Sequence, residues 1–133
     1  MTDFHYQSIF EFEVDDTPYR KLTSDGVSSI RVDGREMLKV EPDVLQLVSR
    51  TAFDDVAHLL RPAHLAQLRM ILDDSEASQN DKFVALELLR NANIAAGRVL
   101  PGCQDTGTAI VMGHKGENVL TGSNDAVAIS QGI

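Results

Sequence analysis

The chain has 133 residues, 43% hydrophobic and 24% charged, a balance that suits a folded globular unit and excludes a largely disordered one. Its 20 acidic and 12 basic side chains leave a net charge of −8, which argues against nucleic acid or an anionic membrane as partner, since phosphate recognition needs a basic face. A single cysteine, Cys103, excludes an internal disulfide and any metal site built from several cysteines of this chain alone.

No apolar run approaches the ~20 residues that a membrane helix needs. The opening stretch, MTDFHYQSIFEFEVDD, is acidic and lacks the basic-then-apolar layout of a signal peptide, so the expected setting is cytoplasmic. Residues 1–40 read as strands and turns. Within 28–40, SSIRVDGREMLKV, the pair Asp33-Gly34 sits between β-rich flanks and predicts a two-residue hairpin turn.

Residues 41–97 read as helices. Glu41-Pro42 opens the first, with proline suited to a first turn. Leu45, Val48, Ala52, Val56 and Leu59 recur at three- and four-residue steps and so share a face. Pro62 separates this helix from a second carrying Leu65, Leu68 and Leu72. After the polar connector DDSEASQN, Ser78 with Asp81 predicts a cap and an acidic first turn. The third helix stacks Val84, Leu88, Ala92 and Ala95, and Gly97 is placed to stop it. Three such stripes are expected to bury one another.

Residues 98–133 hold the chemistry. The apolar, β-branched stretch 108–112, TAIVM, predicts a strand, 113–116 a turn, and 117–121 the returning strand. Lys115 reads as a solvated hairpin tip. Gly122-Ser123-Asn124-Asp125 would cap a last helix, with Ser123 as the capping residue. That helix barely starts before Ile133, which leads to the expectation of a fragment of a larger protein. The expected class is α+β: a helical, bundle-like core over 42–97, a hairpin region before it and a short strand pair after it.

Cys103 admits three readings from its type and surroundings: a small buried hydrophobe, a thiol nucleophile with His114 as base, or a metal ligand completed from elsewhere. Its neighbourhood weighs against the first. Pro101 keeps the preceding residue out of the helical region, and Gly102 and Gly107 let the backbone approach a ligand. Gln104, Asp105, Thr106 and Thr108 supply donors and acceptors, although Asp105 could equally satisfy a turn and the threonines suit turn and strand. His58 and His64 flank Pro62, whose helix boundary argues against shared ligation.

The run VLPGCQDTGTAIVMGHKG, 99–116, resembles the cluster-binding segment of the class I fumarate hydratases, the iron–sulfur-dependent hydratases. Their signature reads leucine, proline, any residue, then cysteine, glutamine, aspartate, threonine, glycine, threonine and alanine. FHYQ, YRKLTSDGVS, LKVEPDVL, LLRPAHLAQLRMILDD and EASQNDKFVALELLRNANIAAGRVLP are similar to the amino-terminal part of the same family, so that the resemblance covers essentially the whole chain. Tartrate dehydratases of the alpha type share the core motif. One departure is Ala126, where family members often carry an acidic residue.

The resemblance implies a hydro-lyase of the tricarboxylic acid cycle that reversibly hydrates fumarate to malate. Cys103 matches the first of three cysteines that hold a 4Fe–4S cluster, whose remaining iron is open to act as a Lewis acid. Gln104 and Asp105 match residues that contact the dicarboxylate, with Asp105 the candidate for proton transfer. The other two cluster cysteines and the cationic carboxylate-binding groups would lie beyond the match, in the rest of a homodimeric enzyme. On this view 1–133 is an amino-terminal segment, inactive alone, and 98–133 is its least protected part. A noncatalytic helical interaction module is the alternative from a different class.

Overall fold

Two glycine-dependent or proline-dependent choices set the first half of the chain. The structure, a computed structural model, describes residues 18–104 and 107–133; residues 1–17, with His5 and the first part of the strand-and-turn region, lie outside the described residues, as do Asp105 and Thr106. At 33–34 the backbone turns with φ of 48° at Asp33 and 79° at Gly34, the paired left-handed conformation of a tight hairpin turn. The turn joins β1 (Val27–Val32) to β2 (Arg35–Val40) in antiparallel register from Val27↔Val40 to Val32↔Arg35. Prolines then start two helices, α1 (Pro42–His58) and α2 (Pro62–Asp73), where their missing N–H would have had no helical partner.

The third helix, α3 (Gln79–Ala95), begins with a complete capping box. Asp81 N–H donates to Ser78 Oγ at 3.1 Å, and Ser78 N–H donates to Asp81 Oδ2 at 3.0 Å. The Ser78 hydroxyl, which donates to Asp81 Oδ2 at 2.7 Å, and then the Ser78 N–H hold the Asp81 carboxyl below its ordinary range. The helix ends with Ala96 as cap; Gly97 N–H returns to the Ile94 carbonyl, and Arg98 takes the left-handed φ of 59°.

The α+β class holds, with two differences in detail. Residues 108–112 pair with no strand among the described residues, and of the predicted returning strand only β3 (Val119–Leu120) forms. It joins β2 in parallel, Leu38↔Val119 and Lys39↔Leu120, giving the sheet order β1-β2-β3. A β-branched run needs a partner backbone before its propensity becomes a strand. The last helix, α4 (Asp125–Gly132), is capped by Asn124 rather than Ser123: Asn124 Oδ1 accepts from Ala126 N–H at 3.1 Å and Val127 N–H at 3.4 Å. A carboxylate at Ala126 is therefore not needed to start it.

The helices associate as pairs rather than as a closed trio. α1 packs chiefly on α4 and α2 on α3, while α1 and α3 meet over a small area. Ser49, Ala128 and Gly132 bring α1 and α4 close together. Ser49 Oγ lies 3.0–3.1 Å from the carbonyls of Leu45, Gln46 and Ile129, so one hydroxyl serves both helices. Gln46 Nε2 also donates to Gln131 Oε1 at 2.8 Å.

Many large apolar side chains lie at the surface, and none among the described residues is fully buried. The helical stripe on α1 forms at the spacing expected, yet Val48, Val56 and Leu59 are exposed, Val56 to 79%. Described residues cover little of it.

The close α1–α4 contact makes a sharp expectation. A Cβ at Gly132 would overlap Ser49 Oγ and the Gln46 carbonyl group. Gly132→Ala should therefore cost about 1–3 kcal/mol of stability, the usual penalty of overpacking. Faster amide exchange across 125–132, together with a lower urea midpoint, would register the loss; unchanged exchange there would show that α4 shifts aside freely.

Candidate functional site

Cys103 and Gln104 are presented on the loop that leaves α3, and both are exposed. The loop's root is built from three elements. Arg98, at the end of α3, reaches back to the carboxylates of Asp54 and Asp55 in α1, with Nη2 to Asp55 Oδ1 at 2.5 Å. Arg20, ahead of the hairpin, donates to the other oxygen of Asp55 at 2.6 Å. Held first by Arg98 and then by Arg20, the Asp55 carboxyl is depressed below its ordinary value, and Asp55 in turn raises the Arg98 guanidinium.

Gly102 is fixed just before Cys103. Its N–H donates to the Ala57 carbonyl at 2.8 Å, and its carbonyl accepts from Asn91 Nδ2 at 2.7 Å. The first residues of 98–133 are thus tied to both α1 and α3. Asp105, the residue expected to transfer a proton, lies outside the described residues.

A second group of polar side chains stands near the chain's end. Lys115 Nζ donates to Asp125 Oδ2 at 2.6 Å and to Thr121 Oγ1 at 3.2 Å. Exposed though it is, Lys115 is therefore not a bare hairpin tip: it joins the loop at 113–116 to the first turn of α4. The Asp125 carboxyl is held below its ordinary 3.8 by Lys115 first and Thr121 second. All three line a cavity of about 620 Å³ together with His114, Val119 and Ile129. Neither Cys103 nor Gln104 lines it, so the cavity that holds His114 is not one the thiol shares. Sequence reasoning missed this group, because an acid and a base ten residues apart give no periodic signal.

His58 and His64 are not brought into one ligand set. His58 Nδ1 lies 2.9 Å from the Asp54 carbonyl and 3.3 Å from its carboxylate. Among the described residues no group of three or more His, Cys, Asp or Glu is close enough to hold a metal ion. No helix among them is long and apolar enough to cross a membrane.

A pinned loop presenting a cysteine and a glutamine, on an α+β scaffold with uncovered apolar helices, describes part of a site. Comparison with known proteins supplies the class. The family model for fumarate hydratase (fumerase) matches residues 46–133. The aerobic class I fumarate hydratase of Escherichia coli K12 is 54% identical over 130 residues, which is 98% of this chain and 24% of that protein. Its anaerobic counterpart from the same strain is 53% identical over the same shares of both chains. Fumarate hydratase 1, mitochondrial, of Leishmania major is 58% identical over 120 residues, 89% of this chain and 22% of that protein. The chain belongs to the fumarate hydratase family, and it spans about a quarter of the length of the curated relatives it matches.

The Lys115–Asp125 pair gives a pH dependence whose sign follows from the lowered Asp125 pKa. A carboxylate depressed on folding contributes stability that is complete above its ordinary 3.8 and is lost as pH falls through the lower folded value. Asp125→Asn should thus weaken the docking of α4 at neutral pH, and the gap from wild type should close on acidification below 3.8. Unfolding midpoints of the two proteins across pH 7 to about 2.5 would measure it; a gap that persists at the acid end would assign the effect to shape rather than charge.

Proposed function

We propose that the chain is the amino-terminal segment of a class I fumarate hydratase, a hydro-lyase that interconverts fumarate and malate. The observation that carries this reading is the 54% identity across nearly the whole chain, with the Cys103-Gln104-Asp105 run intact. Fumarate is preferred over tartrate because the relatives compared are named fumarate hydratases. A noncatalytic helical module would have no need of a cysteine, an amide and a carboxylate in succession on an anchored loop.

Cys103 is the ligand this chain would contribute to a 4Fe–4S cluster. An exposed thiol on a pinned loop fits one corner of such a group, while the described residues offer no complete ligand set. When bound, the cluster supplies Lewis acidity through an iron that no thiolate holds. Gln104 would orient the dicarboxylate, its amide donating to a carboxylate oxygen. Asp105 would move the proton at the carbon next to the one that carries the hydroxyl, a task for a carboxylate held within hydrogen-bond reach. The remaining ligands and the cationic substrate contacts come from the rest of the polypeptide, in a cytoplasmic homodimer. The uncovered apolar stripe of α1 supports such a further body of protein.

Two experiments test this. The 133-residue chain, reconstituted anaerobically with iron and sulfide, should hold no stable cluster and hydrate no fumarate; a cluster with turnover in a monomeric sample would overturn the segment reading. In the complete enzyme, Cys103→Ser should abolish the cluster. Asp105→Asn should keep it while activity falls about a hundredfold or more. Near-wild-type activity in Asp105→Asn would reduce that residue to a turn former.

A further inference from the structure

Gly102, the residue ahead of Cys103, is held by two helices. Gly102 N–H donates to the carbonyl of Ala57 at 2.8 Å, in the last turn of α1, where helix geometry leaves carbonyls without an intrahelical partner. The Gly102 carbonyl accepts from Asn91 Nδ2 of α3 at 2.7 Å. Ala95 stands one turn beyond Asn91 on the same face of α3 and is 1% exposed. It forms the floor of this seat: a Cβ on Gly102 would lie 3.7 Å from the Ala95 Cβ, in ordinary contact. Upstream, the Arg98 pairs with Asp54 and Asp55 fix where the loop begins.

The Gly102 carbonyl and the Cys103 N–H belong to one planar unit, so fixing the carbonyl fixes the plane from which the Cys103 side chain departs. We propose that Asn91 is a positioning residue that sets the direction of the Cys103 thiol; this rests on the reading of Cys103 as a cluster ligand. The chemistry suits the residue. A carboxamide donates to a carbonyl, whereas an aspartate of the same shape is acceptor-only when ionised and would set a charge against that oxygen. Groups that orient metal ligands are worth about 10- to 100-fold in metal affinity.

The test compares Asn91→Asp with Asn93→Asp in the complete, cluster-loaded enzyme, since both add one negative charge to the same helix. Cluster loss to an iron chelator is followed by visible absorption, and thermal melting of the apo forms follows the fold. Asn91→Asp should lose its cluster about tenfold or more faster than wild type, with Asn93→Asp near wild type and both melting close to it. Asn91→Ala removes the donor without adding charge and should match Asn91→Asp, so the result does not hang on one variant. Equal loss rates in all three variants, with Cys103→Ser still abolishing the cluster, would overturn the positioning role and leave Cys103 a ligand. A Cys103→Ser enzyme that keeps its full iron and sulfide would overturn the ligand reading and the positioning role together.

Discussion

Close approach through small side chains is the constraint on which this structure depends. The buried positions among the described residues are Ser49, Ala85, Ala95, Thr121, Ala128 and Gly132, with no large side chain fully buried. At about 25 cal/mol per Å² of apolar surface removed from water, such residues contribute little by area. What they allow is backbone proximity: α4 lies against α1 closely enough for the Ser49 hydroxyl to reach carbonyls of both helices. The contacts set geometry more than they supply hydrophobic free energy. The larger apolar groups that would supply it, such as Val56, Phe83 and Ile94, remain exposed.

That division explains what was legible in the sequence. Local chemistry was: Asp33-Gly34 gave the turn, Pro42 and Pro62 the helix starts, and Ser78 with Asp81 the cap and acidic first turn of α3, each a contest settled within four residues. Cys103 and Gln104 stand out as candidates because an amide, a thiol and flanking glycines are conspicuous in a single run, and the structure places both exposed on the loop that leaves α3. Helix partners were not legible. A stripe such as Val48–Ala52–Val56 says which face seeks burial and nothing about what covers it, so α1's pairing with α4 through Ser49 and Gly132 went unseen. Strand 108–112 failed for a related reason, since a ladder is a property of two backbones.

The ion pairs divide in the same way. Arg69–Asp73 and Arg90–Glu87 lie at helical spacing and could be read from the sequence, yet as exposed pairs they are worth little. Arg98 with Asp54 and Asp55, and Lys115 with Asp125, join segments that are distant or separated by a turn. These pairs decide where the loops go. Each of them secures one end of the stretch that carries the candidate chemistry.

Between those two fixed ends, Gly102 and Lys115, lies a run with polar residues first and apolar ones after. Its later part, Ile110 and Met112, is 72% and 74% exposed, and it pairs with no strand among the described residues. Closing a loop at both ends costs little more for each added residue, whereas ordering each residue between costs about 1–2 kcal/mol, so the anchors meet only a small part of the cost of ordering the run. The remaining order must come from contacts made along the run itself. Polar groups gain those from hydrogen-bonding partners, and a β-branched apolar stretch gains them from a neighbouring strand. On the proposed reading, both kinds of partner would come with the rest of a longer polypeptide. The anchors at Asn91 and Asp125 therefore do the part of the work that this chain can do alone: they bring the run to the place where its partners can meet it.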